Sequence, residues 1–145
     1  MQNYFDCFQK VKKKCYSFIS SQETKREKFK NKEKMVKSFL IPICFWIFKN
    51  KPKNKTFIIG LAGGQGTGKT TISSLIRLIL STYFKLNVFK VSIDDFYKTR
   101  KERLKLSKSK HPLLLIRGVP GTHDIDRINK LFHNVKNKKF KSMLI

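Results

Sequence analysis

The sequence predicts an α/β fold built on a parallel sheet, and three observations carry that expectation. Residues 56–62 (TFIIGLA) form a short apolar run, as in a strand buried on both faces. Residues 70–84 place Ile72, Leu75, Ile76, Ile79, Leu80 and Tyr83 at helical spacing. Residues 88–93 (VFKVSI) are rich in β-branched residues and read as a second strand. Strand, glycine-rich turn, helix and strand make one βαβ unit with a short crossover.

The turn inside this unit reads G-G-Q-G-T-G-K-T from Gly63 to Thr70 and satisfies G-x-x-x-x-G-K-[ST]. Each residue type has a physical reason. Gly63, Gly64, Gly66 and Gly68 let backbone N–H groups close on phosphate oxygens without Cβ clashes, with Gln65 and Thr67 between them. The helix that follows, with Lys69, Thr70 and Thr71 in its first turn, points its positive end at the same oxygens. Lys69 supplies a charge for the β- and γ-phosphates, and the Thr70 hydroxyl is a ligand for Mg²⁺. A chance glycine-rich turn is the bland alternative. The strand before it and the helix after it are the context that favours phosphate binding. The expected fold is therefore of the P-loop NTPase type, a three-layer αβα arrangement.

Outside that unit the sequence is plainer. Residues 1–55 read as a lysine-rich, partly helical N-terminal segment, and residues 56–145 as the N-terminal portion of a P-loop domain. Residues 23–37 mix both charges without Gly or Pro and suit an exposed helix. Residues 39–48 (FLIPICFWIF) are about half the ~20 residues needed to cross a bilayer and are interrupted by Pro42. Burial against the domain is the expectation there, with no stable membrane insertion; a peripheral contact helped by flanking lysines is the lesser alternative. Residues 99–108 and 124–135 read as helices, the second capped by Thr122 or Asp124, with loop-like residues 111–126 overlapping its start.

The chain has 145 residues and a net charge of +24. That charge fits either a basic binding face or lysines spread over a solvated surface. Lysine dominance and scatter favour the second and make nucleic acid a weaker expectation as partner. Three unpaired-looking cysteines, Cys7, Cys15 and Cys44, argue against a disulfide scaffold or a zinc site and fit a reducing cytoplasm. No signal peptide is visible. No N-K-x-D guanine motif occurs, which disfavours a GTPase. The strand end carrying Asp94 and Asp95 imitates a Walker-B acid, or places a carboxylate for a kinase.

Three segments stand in order: Gly63 to Thr70, Ser92 to Tyr97 (SIDDFY) and Arg117 to Asp124 (RGVPGTHD). Together they resemble the D-glycerate 3-kinase family, within the phosphoribulokinase, uridine kinase and pantothenate kinase group, over residues 56–135. The resemblance implies an ATP-dependent, Mg²⁺-requiring kinase that transfers the γ-phosphoryl group to a hydroxyl of a small acceptor such as D-glycerate. It implies Asp94 as the catalytic base and, with Thr70, a metal ligand. Asp95 either helps hold Mg²⁺ through water or orients its neighbour. Tyr97 and Arg117 line the acceptor pocket, Arg117 being suited to a carboxylate, and His123 and Asp124 sit near the acceptor hydroxyls. Each has a plainer role open to it: Asp94, Asp95 or Asp124 as a turn or helix cap, Arg117 as a surface charge, His123 as a loop residue. The family's pattern continues further, and residues 141–145 (KSMLI) read as the start of its next strand, so an incomplete kinase is expected. The rival expectation is a catalytically weak nucleotide-binding or nucleic-acid-associated protein.

Overall fold

The computed structural model describes residues 3–25 and 28–137. They divide into two compact units, Met1–Lys90 and Val91–Ile145. The strand expected at residues 141–145 lies outside the described residues.

The first unit is a helical cluster. Helix α1 (Tyr4–Gln22) is capped by Asn3, whose side chain accepts the Asp6 N–H at 2.7 Å. It buries Cys7, Phe8, Val11, Cys15 and Ile19, a stripe at helical spacing. The exposed helix expected over residues 23–37 does not form as one piece. The Glu23 carboxylate accepts the Phe29 N–H and the Lys32 ammonium, both at 2.8 Å, and this clasps a turn. Asn31 then adopts a left-handed conformation (φ 55°), and the chain restarts as α2 (Lys32–Lys34). A side chain that satisfies backbone and cation together outcompetes the modest helix propensity of a charged segment.

From α2 the helix passes through a π-helical stretch (Met35–Leu40) into α3 (Ile41–Asn50). Pro42 explains the change of winding. It lacks the N–H that would bond four residues back, and at the junction the Ile41 N–H instead reaches Val36, five residues back. Residues 39–48 are buried on one side only: Leu40, Ile41, Cys44 and Ile47 enter the core, while Phe39, Ile43 and Trp46 are exposed.

Helix α4 (Lys69–Thr82) matches the helix expected over residues 70–84. Leu75, Ile79, Leu80 and, just beyond, Phe84 join α1, the π-helical stretch and α3 in one apolar core. Phe84 stacks on Phe48 at 4.6 Å between centroids and meets Phe45 edge-on at 5.0 Å. The Tyr83 hydroxyl donates to Asp6 at 3.0 Å, tying α4 to the first turn of α1.

The parallel sheet is not seen. Among the described residues no strand forms, and residues 56–62 and 88–93 carry no ladder. Most of their apolar side chains stay exposed, from Phe57 at 37% to Phe89 at 68%, while Val88 is half-buried against the core. A strand meant to be covered on both faces needs neighbouring strands and covering layers, and two such segments cannot supply these for each other.

The second unit is built from short elements. A 3₁₀ turn (Ile93–Phe96) leads to α5 (Arg100–Ser109), a second 3₁₀ turn (Pro112–Leu115) and α6 (Ile125–Lys136). Thr99 caps α5 through a reciprocal box with Glu102, and Asp124 caps α6 by accepting the Arg127 N–H at 3.0 Å. Hydrogen bonds from Thr99 hold the Glu102 carboxyl below its ordinary range. Among its described residues, Phe96, Leu131, Thr122 and Arg103 are buried.

The cysteines are free and fully buried. Desolvation pushes the Cys7 thiol up to about 11 and Cys15 to about 12, and raises Cys44 as well. A chromogenic disulfide reagent at about pH 8 is therefore expected to leave all three unreacted in the native protein and to titrate three after denaturation. The ordinary thiol value is 9.0, so below it both states are neutral and stability is unaffected. Above it the unfolded chain ionises first, and the first unit loses stability as pH climbs toward 11. Rapid native reaction, or an unfolding midpoint flat across that window, contradicts this packing.

Candidate functional site

The phosphate-type loop lies in the first unit. Gly66 and Gly68 both have φ of 78°, the left-handed region that a side chain would strain. Gly63 serves a different need: a Cβ there would meet the Thr67 Oγ1 at 3.0 Å. The Thr67 hydroxyl donates to the Gly64 carbonyl at 2.8 Å and closes the turn. The Lys69 ammonium folds back to donate to that same carbonyl, so its charge lies over the loop.

Gly68 is the N-cap of α4 and can offer no side chain to the first-turn amides. The helix has no side-chain cap and no acid in its first turn, so its positive end is neither satisfied nor neutralised there. Thr70 is exposed in that turn; Ser73 and Ser74 donate to its carbonyl at 3.0 and 2.8 Å, leaving its own hydroxyl outside these bonds. Gln65 is exposed on the loop and Thr71 half-buried behind it. The arrangement is suited to an anion with several oxygens.

The other predicted residues lie in the second unit. Ser92 and Asp95 form a capping box: the Asp94 N–H reaches the Ser92 hydroxyl at 3.3 Å, and the Ser92 N–H reaches the Asp95 carboxylate at 3.0 Å. Asp95 therefore spends a carboxylate oxygen on backbone, the plainer of its expected roles. Asp94 is exposed, with its carboxylate outside that box.

Tyr97 pairs with His123 in an isolated antiparallel bridge, flanked by Lys98 N–H to Thr122 carbonyl at 2.8 Å and Asp124 N–H to Phe96 carbonyl at 2.7 Å. The two rings stack at 4.1 Å, and the Arg117 guanidinium lies 5.5 Å from the Tyr97 ring centre. Gly118 (φ 92°) follows Arg117, and a Cβ there would come within 3.9 Å of the Tyr97 hydroxyl. The His123 Nε2 is buried without a hydrogen-bond partner among the described residues. Tyr97, Arg117, His123 and Asp124 are thus brought together, and Asp124 acts at least as a helix cap.

One residue was missed. Arg103, 7% exposed, donates from Nε to the Lys98 carbonyl at 3.1 Å and from Nη1 to the Leu115 carbonyl. It fastens α5 to Lys98, next to the Tyr97 bridge, and to the loop entering Arg117. An arginine amid a lysine-rich helix gives no sign in sequence that it is the buried one. Thr122, fully buried with its hydroxyl on the Val119 carbonyl at 2.6 Å, shapes the same loop.

Comparison with known proteins agrees with a kinase. The chain is 40% identical over 85 residues to the uncharacterized kinase mug58 of Schizosaccharomyces pombe, covering 57% of this chain and 30% of that protein. It is 34% identical over 94 residues to the probable ATP-dependent kinase TDA10 of Saccharomyces cerevisiae, covering 62% and 32%. It is 32% identical over 86 residues to a pantothenate kinase of Lactococcus lactis, covering 59% and 26%. The chain thus spans less than a third of the length of these relatives. None of the three is named a glycerate kinase. No protein-family pattern and no solved structure matches the chain.

The Arg103 contacts generate a stability test. Arg103→Ala leaves two backbone carbonyls without their donor and is expected to cost about 1–3 kcal/mol in denaturant unfolding of the second unit, with Arg103→Lys intermediate. A loss within error of zero contradicts the fastening role.

Proposed function

We propose that this chain carries the phosphate-binding portion, residues 56–145, of an ATP-dependent small-molecule kinase with a P-loop fold. The observation that carries the reading is the loop itself: two left-handed glycines, an unneutralised α4 terminus and Lys69 folded over it. Similarity to kinases over 57–62% of the chain supports it.

In this reading the backbone N–H groups of Gly63 to Thr71 and the Lys69 ammonium hold the nucleotide phosphates. Lys69 gives up the Gly64 carbonyl for phosphate oxygen, a stronger, charge-assisted partner. The acceptor hydroxyl attacks the γ-phosphorus, its proton passes to the Asp94 carboxylate, and ADP leaves. In this reading Mg²⁺ would take the Thr70 hydroxyl and the Asp94 carboxylate, each exposed within its own unit. Both are hard oxygens, the donor type that Mg²⁺ takes. That suits a cation carried in mainly by phosphates, where it neutralises charge on the transferring group.

The acceptor is proposed to be a small hydroxy acid, with D-glycerate first. Arg117, held beside the Tyr97 ring, is suited to a carboxylate, and His123, stacked on the same ring, would stand near the acceptor hydroxyls. The proposed setting is cytoplasmic. A second reading, nucleotide binding without transfer, is favoured by the absence of a ladder on residues 56–62 and 88–93.

The test is ADP release with Mg²⁺ and ATP, scanned across hydroxy acids including D-glycerate and pantothenate. A hydroxy acid is expected to stimulate release. Lys69→Ala is expected to abolish nucleotide binding and turnover together. Asp94→Asn is expected to keep binding and lower kcat about 10²–10⁴-fold. Binding that needs Lys69 with no stimulation by any acceptor selects the second reading; binding indifferent to Lys69 overturns both.

A further inference from the structure

Helix α3 is apolar on the side it should not be. Ile41, Cys44 and Ile47 of α3, with Leu40 just before it, belong to the core. The outer stripe, Phe39 near the end of the π-helical stretch and Ile43 and Trp46 on α3, is 56%, 43% and 58% exposed. Phe57, with its ring centroid 6.5 Å from that of Trp46, extends the patch.

Lysines flank it along the chain. From Lys34 to Lys55 the chain carries six lysines and no acid. Lys34 and Lys37 precede the stripe, Lys49 lies on its last turn, and Lys51, Lys53 and Lys55 follow. Lys37 is shared with Glu33 at 3.8 Å and Lys51 lies over the Phe48 ring, while Lys34, Lys49, Lys53 and Lys55 are exposed.

We propose that the outer face of α3 docks on an anionic lipid surface, with Phe39, Ile43 and Trp46 seated at the headgroup–acyl boundary and the lysines on the headgroups. Two features select this occupant. A protein partner would account for the apolar stripe alone, and a nucleic acid for the lysines alone. An anionic bilayer answers both at once. The geometry fits a helix lying flat: α3 has 10 residues, about 15 Å, against the ~30 Å of a hydrocarbon core. No helix among the described residues is long and apolar enough to cross a membrane. A tryptophan at the interface places an apolar ring in the boundary and its N–H in water.

Trp46 is the sole tryptophan, so the full chain reports on itself. Vesicles of phosphatidylcholine with phosphatidylserine are expected to shift its emission to the blue, and acyl-brominated lipid to quench it. Pure phosphatidylcholine is expected to do neither, and added salt to weaken the effect. The double variant Phe39→Ser, Ile43→Ser changes only exposed side chains and is expected to weaken vesicle binding about tenfold, with nucleotide binding at the loop unchanged. The proposal is overturned by any of three results. One is equal response to neutral vesicles. Another is a blue shift that appears without lipid and grows with protein concentration, which marks a second copy as the occupant. The last is salt-sensitive binding that the double variant leaves intact, which makes the lysines alone responsible.

Discussion

The burial of one face of α4 is the constraint on which the phosphate side depends. Leu75, Ile79 and Leu80 are removed from water against α1, the π-helical stretch and α3. Each buried side chain of this size contributes roughly 1.5–3 kcal/mol. That anchoring fixes the axis of the helix, and the axis fixes where its free amides point. Because Gly68 caps the helix with a left-handed backbone and no side chain, the terminus stays unsatisfied where the loop folds over it. A serine or aspartate cap would stabilise the isolated helix and neutralise the feature that suits it to phosphate. Stability is supplied at the far end of α4, by Phe84 and the Tyr83–Asp6 bond, and the near end is left without a side-chain cap.

The second unit follows a similar division. Short turns and loops hold Tyr97, Arg117 and His123 together, and they have no long element to brace them. The bracing comes from a single two-rung bridge around Tyr97 and His123 and from Arg103 reaching two carbonyls. The resulting stack sets the Arg117 guanidinium over the Tyr97 ring, with a buried His123 nitrogen that has no hydrogen-bond partner among the described residues.

What the sequence made legible was local. Helices α4, α5 and α6 came within a residue or two of their expected bounds, because their apolar spacing and caps are written in adjacent residues. The Lys69 loop was equally plain, since G-x-x-x-x-G-K-[ST] names its own backbone requirements. The strands were not secured by local pattern: TFIIGLA and VFKVSI have strand composition, but pairing depends on neighbours remote in sequence. Glu23 broke an expected helix because its carboxylate found partners at Phe29 and Lys32, a competition propensity does not weigh. Asp94 and Asp95 are adjacent and alike in sequence; only the hydrogen bond from Ser92 separates the capping acid from the exposed one. Half-burial of residues 39–48 was also beyond composition, which shows that a helix is apolar but not which side is covered.

Residues Gly63 to Thr71 are the proposed phosphate cradle. Amide chemical shifts of the full chain, followed by NMR while ATP is added with and without Mg²⁺, test it most directly. The account predicts shifts concentrated on the amides from Gly63 to Thr71, larger with Mg²⁺ and absent in Lys69→Ala. Shifts elsewhere with these amides unmoved, or shifts that survive loss of the Lys69 ammonium, would contradict it.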